Sequence, residues 1–177
     1  MVSEVLFGNL LSLGAMVTDS LSSKQDSVKK MLFLQCVSQG FYSISSLILK
    51  GYSAVVQNVI SMLRNIIAIR GIRSNVLQWT ITVLAVVLGI WFNNRGFLGL
   101  LPVVANGMYT VVVFTVGDNQ TALRWAFLID MLMFVVFNFA IMNYVGCLAS
   151  VITAVVTARA IYESRSGQAE HSEEANQ

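Results

Sequence analysis

Proline occurs once in the 177 residues, at Pro102, histidine once, at His171, and cysteine twice, at Cys36 and Cys147. Charge is scarce as well, with Asp, Glu, Lys and Arg together making 11% of the chain. Each shortage excludes something. A soluble domain needs more polar surface than 11% charge, 56% hydrophobic residues and a mean hydropathy of +0.71 supply. The two cysteines fall in or beside apolar segments, where a thiol behaves as a small hydrophobe, so no disulfide framework is expected. One histidine leaves no metal-ligand cluster, no metal or cofactor site is expected, and no nucleophile has a base at suitable spacing. An enzyme is therefore not expected. The net charge of +2 is spread across loops without a basic cluster, which argues against a nucleic-acid partner.

What the chain does contain is long stretches without charge. The intervals Met31–Leu49, Ser74–Asn94, Gly96–Gly117 and Met131–Ala158 hold 19, 21, 22 and 28 residues with no Asp, Glu, Lys or Arg. A helix of about 20 residues crosses a hydrocarbon core of about 30 Å. The runs are continuously apolar rather than alternating, which favours helices over barrel strands. The pattern predicts seven transmembrane helices at 5–22, 31–49, 52–70, 76–93, 97–116, 122–142 and 144–162, in an all-α membrane protein whose partner is the lipid bilayer. The first is the weakest, diluted by Gly8, Ser12, Gly14 and Asp19. The polar run from Glu163 to Gln177 reads as a disordered tail. Numbering the loops in turn puts nine Lys and Arg residues on one side and only Lys50 and Arg95 on the other. Basic residues are retained in the cytoplasm, so the N-terminus is expected outside and the C-terminus inside.

The chain also repeats itself. An offset of 92 residues places Tyr52 on Tyr144, Asn58 on Ser150, Val59-Ile60-Ser61 on Val151-Ile152-Thr153, and Tyr42 on Phe134. It also superposes the tight turns at 50–51 and 142–143. Internal symmetry points to transporter folds. The division it predicts is a first three-helix bundle at 1–73, a linker helix at 74–95, a second bundle at 96–162 and the tail at 163–177. Four spans separate equivalent helices, so the two repeats run parallel.

Two ionisable residues lie deep in the apolar outline. Asp130 is placed about 12 Å and Arg64 about 9 Å below the cytoplasmic edge, at 1.5 Å per residue. Such groups are costly in a bilayer and seek partners in the bundle interior, so the two are expected to pair and hold the cytoplasmic side closed. The alternative is that Arg64 snorkels to the headgroups and Asp130 is protonated or hydrated. Facing a cavity, Asp130 could also serve as a proton-coupling carboxylate. Asn58, Asn106, Asn138 and Ser150 are polar groups at membrane depth that could line a solute pathway or simply bond helices together. Tyr52, Tyr109, Tyr144, Trp79 and Trp91 read as interface anchors. Pro102 reads as a kink in the fifth helix.

The segments Ala54-Val55-Val56-Gln57-Asn58-Val59-Ile60-Ser61, Leu100-Leu101-Pro102-Val103-Val104 and Arg124-Trp125 through Phe137-Asn138 resemble the bacterial YgjV-type inner membrane proteins. That family is similar to the PQ-loop group, which includes SWEET sugar transporters and KDEL receptors. The resemblance covers most of residues 5–162 and implies a bacterial inner membrane protein with a SWEET-like 3+1+3 layout. It makes Asn58 the foremost substrate-contact candidate, because the related transporters bind solute with an asparagine on the third helix. Neither half carries the Pro-Gln pair of the wider group, since Pro102 stands alone. The function implied is a small-solute transporter using alternating access, with a sugar or other small metabolite as substrate. A receptor or scaffold for a peptide or partner protein is the rival, and a homo-oligomer is left open.

Overall fold

A computed structural model describes the backbone of residues 2–116 and 118–174 and the side-chain surroundings of residues 4–116 and 118–164. All regular structure among the described residues is helical. Seven α-helices follow in order: α1 Val2–Ser23, α2 Val28–Ile48, α3 Tyr52–Ile69, α4 Asn75–Trp91, α5 Leu101–Thr115, α6 Gln120–Ala140 and α7 Tyr144–Glu174. All of these except α4 are long and apolar enough to cross a membrane, with the 3-10 turn Gly96–Leu100 extending α5. The remaining one, α4, has 17 residues and a length of about 26 Å.

Two sequence expectations need correction. Pro102 does not kink a helix: it sits in the first turn of α5, directly after the 3-10 turn Gly96–Leu100. There its missing N–H costs no helical hydrogen bond. The second is the start of the tail, because α7 runs without a break past residue 163 to Glu174. Arg, Gln, Ala and Glu in that run are good helix formers. Residues 175–177 of the expected tail lie outside the described residues.

The helices are amphipathic in the inverse sense of a soluble protein. On α1, Leu6, Leu10, Leu13 and Val17 point outward while Ser12, Asp19, Ser22 and Ser23 are buried. On α3, Gln57, Asn58, Ser61, Arg64 and Asn65 are buried while Val59, Leu63 and Ile66 are exposed. An apolar exterior around a polar interior is stable only in an apolar solvent, so the surrounding medium is a lipid bilayer.

Packing follows a closed circuit. α1 lies against α2, α2 against α3, α3 against α5, α5 against α6, α6 against α7, and α7 returns to α1. α4 stands outside this ring, on the seam between α3 and α5. Its docking depends on Gly89: a Cβ there would collide with the Gln57 side chain and come within 2.6 Å of Val103 Cγ2. Within each set of three, the middle helix separates the outer two, so α1–α3 and α5–α7 are rows in a ring rather than triangular bundles.

The 92-residue offset reappears in the backbone. α2 and α6 are displaced by 92 residues at both ends, and α3 and α7 start at Tyr52 and Tyr144. Among the described residues, the non-glycine positions with positive φ are Lys50 (58°) and Met142 (62°), again 92 apart. The hydrogen bonds of the two turns correspond in pairs. Gly51 N donates to Ser46 O at 2.8 Å, and Asn143 N to Asn138 O at 2.9 Å. Lys50 N donates to Leu47 O at 3.2 Å, and Met142 N to Phe139 O at 3.1 Å. A left-handed residue costs about 1–2 kcal/mol without glycine. Here it is held by the same bond pattern twice.

Candidate functional site

The inner faces of the six ring helices form a polar core in three layers. Polar residues recur at three- and four-residue spacing, which keeps them on one face of each helix. Near the end bearing Lys50 and Arg95, a network joins four helices. Ser12 and Ser45 share a hydrogen bond of 3.0 Å, Asn143 Nδ2 donates to Ser12 at 3.1 Å and to Asn138 Oδ1 at 3.3 Å, and Asn138 Nδ2 donates to Ser150 Oγ at 3.2 Å. The Ser150 hydroxyl in turn donates to Gly146 O at 2.9 Å. Two sequence candidates, Asn138 and Ser150, are therefore brought into direct contact.

At the α3–α5 seam the buried Arg64 is the hub. Its Nη1 donates to Asn106 Oδ1 at 2.6 Å and to Thr110 Oγ1 at 3.3 Å, and its Nε donates to Asn65 Oδ1 at 3.0 Å. The guanidinium carbon lies 4.6 Å from the centre of the Tyr109 ring, a cation–π contact. Asn106 also accepts from Ser61 at 2.7 Å and donates to Gln57 Oε1 at 2.7 Å. Tyr109 donates to Gln35 Oε1 at 3.0 Å. Arg64 is 1% exposed, which rules out snorkelling. It does not form the expected ion pair either. The ion pairs among the described residues are Arg73–Asp118 and Arg159–Glu163, both at the surface. The amide oxygens and the Tyr109 ring satisfy the guanidinium at closer range, and Asp130 only lies within reach of its charge.

Between these networks lies a layer with few partners. Asp19 of α1 accepts a short hydrogen bond from the Ser38 hydroxyl through Oδ1, while its Oδ2 has none. Asp130 of α6 is buried and has no hydrogen bond among the described residues. The charge of Asp130 acts on Asp19, and both act on Tyr42. The Tyr42 hydroxyl is directed toward Ser150 but closes no hydrogen bond of ordinary geometry. Asn58 Nδ2 and Thr153 Oγ1 are likewise buried and unpartnered. A buried polar group without a partner costs about 1–3 kcal/mol, so several together call for compensation by function.

Apolar plugs bound the polar core. Toward the end bearing Lys24, Lys29 and Arg73, Met31, Leu32, Val113, Leu123, Phe127 and Met131 pack around Tyr109. At the other end Leu49, Ala54, Phe137 and Ile141 pack together. Arg124 seals the basic end: its Nε donates to Ser23 O at 3.1 Å, the last carbonyl of α1, and its Nη2 to Gln25 O at 3.1 Å in the connection that follows.

Sequence reasoning missed Asp19, Gln35, Gln57, Ser38 and Asn143. Tyr109, expected as an interface anchor, is instead a core residue at 2% exposure, whereas Tyr52, Tyr144, Trp79 and Trp91 are exposed as anchors should be. The signal for Tyr109 was present: it lies three residues after Asn106, which places the two on one face of the helix.

An apolar exterior, membrane-length helices and a ring closed around a polar core define a polytopic helical membrane protein. Within that class the chain belongs to the Imp-YgjV family, bacterial inner membrane proteins, whose family model matches residues 6–168. It is thus an integral protein of the bacterial inner membrane. No curated protein and no solved structure matches the chain.

Proposed function

We propose that the chain is a small-solute transporter, with all seven helices in the membrane and two three-helix repeats joined by α4 moving against each other. The observation that carries this reading is the set of unpartnered buried groups at mid-depth: Asn58 Nδ2, Tyr42 OH, Thr153 Oγ1 and Asp19 Oδ2. Hydrogen-bond donors and acceptors held without partners between two apolar plugs are what a polar solute would satisfy. The matching turns and helix limits support a rocking pair of equivalent halves, as in transporters built from parallel repeats that move against each other around a site between them. The likeness to the PQ-loop group and SWEET transporters belongs to this reading, as do the outward N-terminus and the cytoplasmic C-terminus. The arrangement is closed, and alternating access requires the two plugs to open in turn. Asn58 and Ser150 are assigned to solute contact. Asn138 and Asn106 shape the pathway from within their networks, and Arg64, Asp130 and Pro102 belong to the moving seams.

A receptor or scaffold is favoured by one feature, the tight burial of Asn106 and Arg64, each held by several hydrogen bonds. The two readings separate in a thermal-shift screen of the purified protein against sugars, amino acids and other small metabolites. The transport reading expects a stabilising solute whose effect disappears with Asn58→Ala. A solute that stabilises wild type and variant equally moves the site elsewhere, and peptides as the stabilising class favour the receptor.

A further inference from the structure

The polar core does not balance its own charge. Arg64 is the cation acting on Asp130, whereas among the described residues the charged group acting on Asp19 is Asp130, another acid. Arg124, the other buried cation, is turned to backbone carbonyls at the end of α1. With both acids ionised, two carboxylates and one guanidinium leave one negative charge in the buried interior, and an unbalanced charge there carries a large desolvation penalty.

Uncharged oxygens surround the same place. Tyr42 on α2 is near enough to feel both acids, and its hydroxyl is buried and unpartnered. Thr157 bonds Ser23 across the α7–α1 seam at 2.7 Å. One turn back on each helix lie Thr153 and Asp19, both fully buried, so the unpartnered Thr153 hydroxyl stands at the level of the acid. The titratable and charged neighbours are thus Tyr42 from α2, Arg64 from α3 and Tyr109 from α5, with α1 and α6 supplying the two acids. Among the described residues α7 supplies no charged group here, only the Thr153 hydroxyl and, beside Tyr42, that of Ser150.

We propose that Asp19 and Asp130, with the hydroxyls of Tyr42 and Thr153, form a site for one monovalent positive charge, either a proton or a sodium ion. The site binds that charge whether or not a solute crosses the membrane; where the transport reading holds, it is the coupling site. Occupation neutralises the pair and favours the closed ring, in which α7 packs against both α1 and α6. Release leaves two like charges facing each other and loosens it.

Purified full-length protein is melted at pH 8 with sodium chloride exchanged for choline chloride at constant ionic strength, and separately from pH 8 to pH 5.5 without sodium. One of the arms is expected to raise the melting temperature by roughly 5 °C, as a ligand well above its dissociation constant does. In the proton arm the folded chain holds one proton more than the unfolded chain, so stability falls as pH rises. Asp19→Asn leaves Arg64 balanced by Asp130 and should abolish the response, and Asp130→Asn, leaving Asp19 with Arg64, should do the same if the first variant does not fold. A response to sodium identifies the ion, and a response to acid alone identifies the proton. No response of the wild type in either arm, or a response that survives in both variants, overturns the proposal. A failed metabolite screen beside an intact cation response sinks transport and leaves this site standing.

Discussion

The hairpins α2–α3 and α6–α7 share a backbone and differ in chemistry. Their helices start at matching residues, their turns carry a left-handed residue at matching places, and their turn hydrogen bonds agree within 0.1 Å. Inside, the offset pairs Gln35 with Phe127, Ser38 with Asp130, Asn65 with Thr157 and Arg64 with Val156. The first hairpin therefore holds the cation and the second holds an anion. A duplicated backbone supplies two equivalent pieces, and the side chains make the site between them asymmetric.

The largest effect that separates the halves should come from Arg64→Ala against Val156→Ala, measured by denaturation in micelles. Loss of Arg64 strips partners from Asn106, Asn65 and Thr110 and leaves Asp130 uncompensated, at a cost of about 3–5 kcal/mol. The half-buried Val156 should cost no more than about 1–2 kcal/mol. Equal costs would mean that the two halves carry equal energetic weight. A middle-sized effect is expected at the turns. Asn143→Gly recreates the glycine of the first hairpin, and the variant loses the bonds that Asn143 donates to Ser12 and Asn138 and the one it accepts from Gly146 N. It should destabilise by about 1–3 kcal/mol. The smallest effect tests the symmetry itself. Lys50→Gly and Met142→Gly should each stabilise by up to about 1 kcal/mol, and by the same amount, because each relieves one left-handed residue. Opposite signs would break the backbone equivalence.

Much of the fold was legible because a bilayer writes it in charge. The gaps between Lys30 and Lys50, or Arg95 and Asp118, placed helix ends within a few residues, and the turns at 50–51 and 142–143 located the repeat. The ring order was not legible. α1 meets α7 through Ser12–Asn143 and Ser23–Thr157, contacts more than 130 residues apart that no local pattern encodes. Among site residues, Asn106 and Arg64 were recognised by depth, but their mutual bond was not, since a carboxylate looked the stronger partner for a guanidinium. Asp19 was overlooked because it reads as the frayed polar end of a weak helix. The hairpin register sets it beside Ser38, well inside the ring.

The central claim is that the Asn58 level opens to water at each membrane face in turn. It is tested by Asn58→Cys in a chain with Cys36→Ala and Cys147→Ala, which removes the two free thiols. The vesicles, right-side-out and inside-out, are treated with a membrane-impermeant maleimide. Although Asn58 is 2% exposed in the closed arrangement, alternating access predicts labelling from both faces at a rate that a bound solute slows. Labelling from neither face, with the protein shown to be folded and a surface cysteine labelled normally, would contradict it.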